Sequence, residues 1–150
     1  MGNQVQIKTN CNIDANDAWN QLQKFSIPHK YIPFLQNTMI LSNQSNGVGA
    51  YRRVFTKYTY TDETVIKWEE GSGYTIKLHR SNQQPFPFVS ATFTYQIVPI
   101  DKYSCELIGI FKYHLPFGII GKILNQLLLG IIIRFNIRRV MMGMKSYYEG

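Results

Sequence analysis

The stretch "FGIIGKILNQLLLGIIIRFNIRRVMMGMKSYYE", residues 117–149, decides the fold. It is the longest uninterrupted helical pattern in the chain. Lys122, Gln126, Arg134, Arg138 and Lys145 recur at intervals of four, eight, four and seven, drawing one narrow polar stripe down an otherwise apolar cylinder. Leu127, Leu128, Leu129, Ile131, Ile132 and Ile133 wrap most of the remaining circumference. We therefore expect a helix that lies across a curved sheet and also lines something beyond it. A membrane span needs about 18 to 20 mainly apolar residues. Lys122, Asn125, Gln126 and Arg134 interrupt any such window, which argues for a core helix.

Everything upstream supplies the sheet. "VQIKTNCNI" alternates at Val5 and Ile7, the period of two that a half-buried strand requires. "DANDAWNQL" then changes period, with Ala15, Ala18, Trp19 and Leu22 at helical spacing behind Asp14, a residue type that caps helices by accepting backbone N–H bonds. Phe25 to Leu35, broken by Pro28 and Pro33, holds a second short helix in this reading. After Gly47 and Gly49 come five strand-like runs, "AYRRVFTKY", "ETVIKWEEG", "YTIKLHR", "FVSATFTYQIVP" and "SCELIGIFKYHL". The separators "TYTD", "GSG", "SNQQPFP" and "IDKY" carry hairpin chemistry, so the runs predict an antiparallel meander. In the fourth run Val89, Ala91, Phe93, Tyr95 and Ile97 form the core face, and Ser90, Thr92, Thr94 and Gln96 the wet one.

The chain has 150 residues, 45% of them hydrophobic, 14% aromatic and 17% charged, an ordinary folded composition that one domain over residues 1–150 accommodates. Cys11 and Cys105 show no CxxC spacing, and His29, His79 and His114 none of the HxH or HExxH kind, so neither a metal nor a disulfide framework is expected. No Walker loop, dinucleotide fingerprint or GxSxG occurs, and no cofactor is expected. The N-terminus lacks the apolar segment of a signal peptide, which together with two unpaired cysteines reads as cytoplasmic. The net charge of +7 favours an anionic partner, but the bases from Leu107 onward are spaced and not clustered, so no nucleic-acid partner is expected.

The order of strand, two short helices, antiparallel strands and long final helix describes an α+β fold. With "IDANDAWNQLQKFSIPHKYIPFL", "GVGAYRRVF", "ETVIKWEEGSGYTIKLHR", "ATFTYQIVP" and the last helix, the chain resembles the START-like, or SRPBCC, superfamily over essentially its whole length, especially the polyketide cyclase/dehydrase and lipid-transport branch. The resemblance implies a helix-grip, Bet v 1-like fold, with a curved antiparallel sheet of roughly seven strands around the C-terminal helix and a cavity between them. It implies binding or transport of a hydrophobic small molecule such as a lipid, sterol, quinone or polyketide-like ring. The enzyme alternative is a cyclase or dehydratase that uses the same cavity. The matching motifs are patterns of fold, so no catalytic residue carries over.

Alternation puts Arg52 and Arg53 on opposite faces of their strand. With the aromatic face of Tyr51 and Phe55 turned inward, Arg53 is the buried one and supplies a planar donor fork for a ligand's polar tip; the rival reading is a surface arginine. Ile66 and Trp68, then Tyr74, Ile76 and Leu78, read as inward sets. The expected ligand walls are Trp68, Tyr74, Phe93, Tyr95, Leu127 and Ile131, although core packing explains each ring equally well. For the enzyme alternative the proton-moving candidates are Tyr95 and His114, the latter at the cavity mouth. The broad apolar girth and one-sided bases of the last helix also suit transient contact with a membrane surface.

Overall fold

The computed structural model describes residues 2–116 and 118–150. Seven strands form one antiparallel sheet: β1 (Asn3–Cys11), β2 (Asn37–Ile40), β3 (Tyr51–Phe55), β4 (Tyr60–Glu69), β5 (Gly73–His79), β6 (Ser90–Asp101) and β7 (Ser104–His114). Their spatial order is β1-β7-β6-β5-β4-β3-β2, so the meander from β2 to β7 is closed by β1 pairing with β7. Helix α1 (Ala15–Leu22) buries the expected Ala15, Ala18, Trp19 and Leu22, while Asp14 sits at the N-cap without a side-chain capping bond. The expected second short helix is a single 3-10 turn, Pro28–Lys30. The long helix α2 runs Gly118–Glu149, with a π-helical turn at Asn125–Leu129.

The sheet curls around the C-terminal half of α2, where Ile133, Ile137, Val140, Met141, Met144 and Tyr148 are buried at helical spacing. Two glycines permit the close approach. A Cβ at Gly109 in β7 would stand 2.5 Å from the Met141 sulfur, and one at Gly143 would stand 2.0 Å from the Tyr31 carbonyl oxygen. The C-terminal end is tied down by Lys145, which donates to the Asn10 carbonyl (2.8 Å) and meets Glu149 (2.6 Å). At the other end of β1 the Tyr113 hydroxyl donates to Asn125, whose amide donates to Asn3 (3.2 Å), pinning the π turn to the β1–β7 edge.

The first half of α2 departs from expectation. Leu129 and Ile133 meet the core, but Ile119, Ile120, Ile123, Leu124, Leu127, Leu128, Ile131, Ile132 and Phe135 are all exposed. Repeating at fours, these side chains form a continuous apolar band exposed to solvent along the helix. By length and composition α2 is long and apolar enough to cross a membrane, and only 6% of its most apolar 18-residue window is buried. Lys122, Asn125, Gln126 and Arg134 therefore do not break every such window, as the sequence reading held. A packed core is not what this half of the helix serves.

Two strand assignments also change. On β3 the inward residues are Arg52 and Val54, not Tyr51, Arg53 and Phe55. On β4 a bulge between Val65 and Lys67 adds one residue, so Val65 points inward, Trp68 rejoins the inner face beside Tyr74, and Ile66 is turned out to solvent.

Candidate ligand cavity

Between the concave face of the sheet and α2 lies a cavity of about 250 Å³. Phe93 and Tyr95 from β6, Phe111 from β7, Ile76 and Leu78 from β5, and Val54 from β3 supply the sheet side. Ile133, Ile137 and Val140 close it from the helix, with Ile32, Phe34 and Leu35 at the rim. Glu63 of β4 is the one acidic or basic side chain among the described lining residues, beside the phenol of Tyr95. Rings meet edge-on or tilted through the wall, as in Phe88–Phe111 (5.6 Å) and Phe93–Tyr95 (4.5 Å).

Behind Glu63 sits Arg52, wholly removed from solvent. Its Nε donates to Glu63 Oε1 (2.6 Å), its Nη1 to the Phe25 carbonyl (2.9 Å), and its guanidinium lies 4.1 Å from the Phe25 ring centre. Burial alone would weaken the charge, but the facing Glu63 carboxylate outweighs it and holds Arg52 protonated. Around the guanidinium gather Tyr31, Tyr74 and Tyr95, whose phenols burial pushes above their ordinary acidity range. Tyr148 of α2, pushed up in the same way, stands next to them, its ring 6.0 Å from that of Tyr31.

Of the residues picked from sequence, Phe93 and Tyr95 line the cavity. Arg53 does not: it is on the outer face, its Nε on Asp62 Oδ1 (2.6 Å) and its guanidinium over Tyr60 (4.1 Å). The registers Arg52↔Glu63 and Arg53↔Asp62 explain the reversal, because each arginine takes the acid directly across from it. Asp62, also bonded by the Tyr51 hydroxyl (2.6 Å) and the Ser81 amide (2.8 Å), satisfies the outer face completely. Tyr74 is buried beside Arg52 and off the cavity wall. Trp68 stacks on Tyr74 (5.2 Å) and meets Trp19 edge-on (5.2 Å), and both indoles donate to Glu70, so it seals the α1 side of the core. Leu127 and Ile131 lie outside, on the exposed band of α2.

His114 is exposed near the start of α2, hydrogen-bonded through Nδ1 to Ser90 (3.0 Å), in a separate hollow with Asn3, Ile119 and Lys122. It does not reach Tyr95, which lies inside the cavity on the inner face of β6. The two proton-moving candidates are therefore not assembled. Sequence reasoning missed Glu63, Phe111 and the helix residues Ile133, Ile137 and Val140. The last three follow an i, i+4, i+7 spacing, but the equally apolar residues around them masked it.

No protein-family model matches the chain, and no curated protein does. Solved structures match closely in shape. Ara h 8.0201 superposes with a TM-score of 0.68 at 11% identity, covering 99% of this chain and 98% of that one. Norcoclaurine synthase from Thalictrum flavum, solved with dopamine and hydroxybenzaldehyde, gives 0.69 at 14% identity over 98% and 86%. A protein from Nitrosospira multiformis gives 0.72 at 9% identity over 97% and 96%. The chain thus has the Bet v 1-like helix-grip fold.

Proposed function

We propose that the protein binds a small hydrophobic molecule in the cavity between sheet and helix. The observation that carries this reading is the cavity itself: ring- and aliphatic-walled, held open under α2, with a single acid and a buried arginine at one end. Ligand pockets run from about 300 Å³ upward, so a space of about 250 Å³ favours a compact ring system or short chain over a sterol. Quinone- or polyketide-like rings fit better than a two-chain lipid. That the Thalictrum enzyme, a protein of the same fold, forms a complex with dopamine and hydroxybenzaldehyde supports small ring compounds as the ligand class. Binding is preferred to cyclase or dehydratase chemistry because the two proton-moving candidates are not brought together: Tyr95 lines the cavity and His114 lies in a separate hollow. Two buried free thiols, Cys11 and Cys105, fit a cytoplasmic setting. The test is native mass spectrometry of freshly purified protein followed by extraction: a one-to-one apolar adduct supports the proposal, and a bare mass with no uptake from a panel of apolar ring compounds counts against it.

The exposed band of α2 favours a second role that coexists with the first, contact with an anionic membrane surface. Lys122, Arg134, Arg138 and Arg139 accompany the band, and no acidic residue occurs between Glu106 and Glu149. An interfacial helix of this composition draws on apolar insertion plus about 1 kcal/mol per base near an anionic surface. A second copy of the chain would instead bring like charges together. Vesicles of phosphatidylcholine with phosphatidylglycerol should sediment the protein, pure phosphatidylcholine should do so less, and L127S with I131S should abolish the difference. Equal binding to both vesicle types would remove this role.

A further inference from the structure

Cys11 ends β1, Cys105 lies at the start of β7, and the antiparallel register sets them directly across from each other. Nothing in their sequence spacing pairs them; the closing of the sheet by β1 does. Opposed residues of an antiparallel pair share a face, with Cα atoms about 4.5 or 5.5 Å apart according to their place in the hydrogen-bond ladder. Both values fall within the window of about 4.4–6.8 Å that a disulfide spans without backbone movement. Both side chains are turned into the core, neither residue has accessible surface, and each thiol is within hydrogen-bonding reach of the other.

The last turn of α2 covers the pair. Lys145 donates to the Asn10 carbonyl (2.8 Å) and the Asn12 amide donates to Glu149 (2.8 Å), so the backbone is held on both sides of Cys11, and Tyr148 lies near both cysteines. Exchange with a small disulfide needs a thiolate and an open line of attack. In the folded protein burial pushes both thiols up, and the helix end blocks approach. An unfolded chain has neither restriction.

We propose that Cys11 and Cys105 form a latent cross-strand disulfide site whose state is set while the chain folds and is then kept by the folded structure. The co-reactant is a small-molecule disulfide such as oxidised glutathione. The thiolate of one cysteine attacks it, forming a mixed disulfide and displacing one glutathione thiolate. The thiolate of the other cysteine then attacks the protein sulfur of that mixed disulfide, forming the Cys11–Cys105 bond and displacing the second. The cysteines lose two electrons, the glutathione disulfide gains the same two, and the two thiol protons end on the two product thiols. In a reducing compartment the chain folds with both thiols free. Under oxidising conditions β1, the edge strand that anchors the end of α2, becomes bonded to β7. The site is independent of the cavity and of what binds there.

The experiment unfolds the full chain in urea and refolds it in two buffers, one with oxidised and reduced glutathione and one with dithiothreitol. The first should yield a monomer lighter by two hydrogen atoms, with the Cys11 and Cys105 peptides linked and the amide NMR spectrum of the native fold. Its Tm should be higher by about 10 °C, because the bond closes a long loop of the unfolded chain. The double variant C11A/C105A should show one Tm from either buffer. Folded protein of either kind, moved to the opposite buffer at pH 8, should keep its state for hours and change it once urea is added. A refolded chain that carries glutathione or forms linked dimers in place of the internal bond, or whose internal bond disturbs the native spectrum or fails to raise the Tm, overturns the site. Exchange within minutes in the folded protein overturns the retention of its state.

Discussion

Replacing Glu63 by leucine tests how the polar end of the cavity is held. The Arg52 side chain is 1% exposed and that of Glu63 12%, so the pair is nearly dry, and the 2.6 Å contact is the arginine's sole ionic partner among the described residues. E63L leaves a guanidinium buried without a carboxylate, facing the Phe25 carbonyl and ring and neutral tyrosines. Breaking such a pair costs about 3–5 kcal/mol. Taking about 3 kcal/mol, because Glu63 borders a cavity that water can enter, and an unfolding entropy of about 2.1 cal/mol/K per residue, a chain of 150 residues should lose about 10 °C in Tm. R52M should cost less, since the stranded Glu63 can take up a proton. The double variant R52M/E63L swaps the pair for apolar groups of similar size and should come within about 1 kcal/mol of the parent. Urea unfolding of all four proteins, with m-values compared, closes the cycle. Additive losses would mean that the two residues do not depend on each other, and the buried-pair reasoning would be refuted.

Other perturbations reach other parts of the structure. Burial alone would raise the Asp62 carboxyl, but hydrogen bonds from Arg53, Tyr51 and the Ser81 amide together hold it below its ordinary value. A depressed carboxyl contributes stability that is present above the unfolded value near pH 4 and is lost as pH falls through the folded one. D62N should therefore be less stable than the parent at pH 7, with the gap closing below about pH 4; urea midpoints that stay parallel down to pH 3 would contradict this. Burial pushes the Cys11 thiol up to about 12, and it raises Cys105 as well, so a thiol-specific disulfide reagent at pH 8 should label neither until the protein unfolds. Rapid native labelling would show that the β1–β7 edge opens. G143A places a methyl 2.0 Å from the Tyr31 carbonyl, backbone against backbone, and should cost about 1–3 kcal/mol in urea unfolding; an unchanged midpoint would mean that the Tyr31 loop is free to move off the helix.

The architecture was legible because its signals are periodic. Alternation in β5 and β6 predicted the inward Tyr74, Ile76, Phe93 and Tyr95, and all four are buried. The site was less legible for three physical reasons. A five-residue strand with two adjacent arginines has no majority face, and cross-strand acids that sequence spacing does not align decided that Arg52 turned inward. A one-residue bulge in β4 cannot be seen in a run that continues to look strand-like, so Ile66 was misplaced. In α2, apolar residues on every side mean that periodicity cannot separate the face gripped by the sheet from the face left bare. Only three-dimensional placement divides Ile133 and Ile137 from Leu127 and Ile131.

Whether an apolar molecule enters the cavity or settles on the bare face of the helix is decided by methyl NMR spectra during titration with 2-ethylnaphthalene. Occupation of the cavity predicts saturable, one-to-one shifts of the Ile76, Leu78, Ile133, Ile137 and Val140 methyls, with Ile119, Ile120 and Leu128 undisturbed. Shifts confined to Ile119, Ile120, Leu127 and Leu128, with the cavity methyls silent, would contradict ligand binding between sheet and helix.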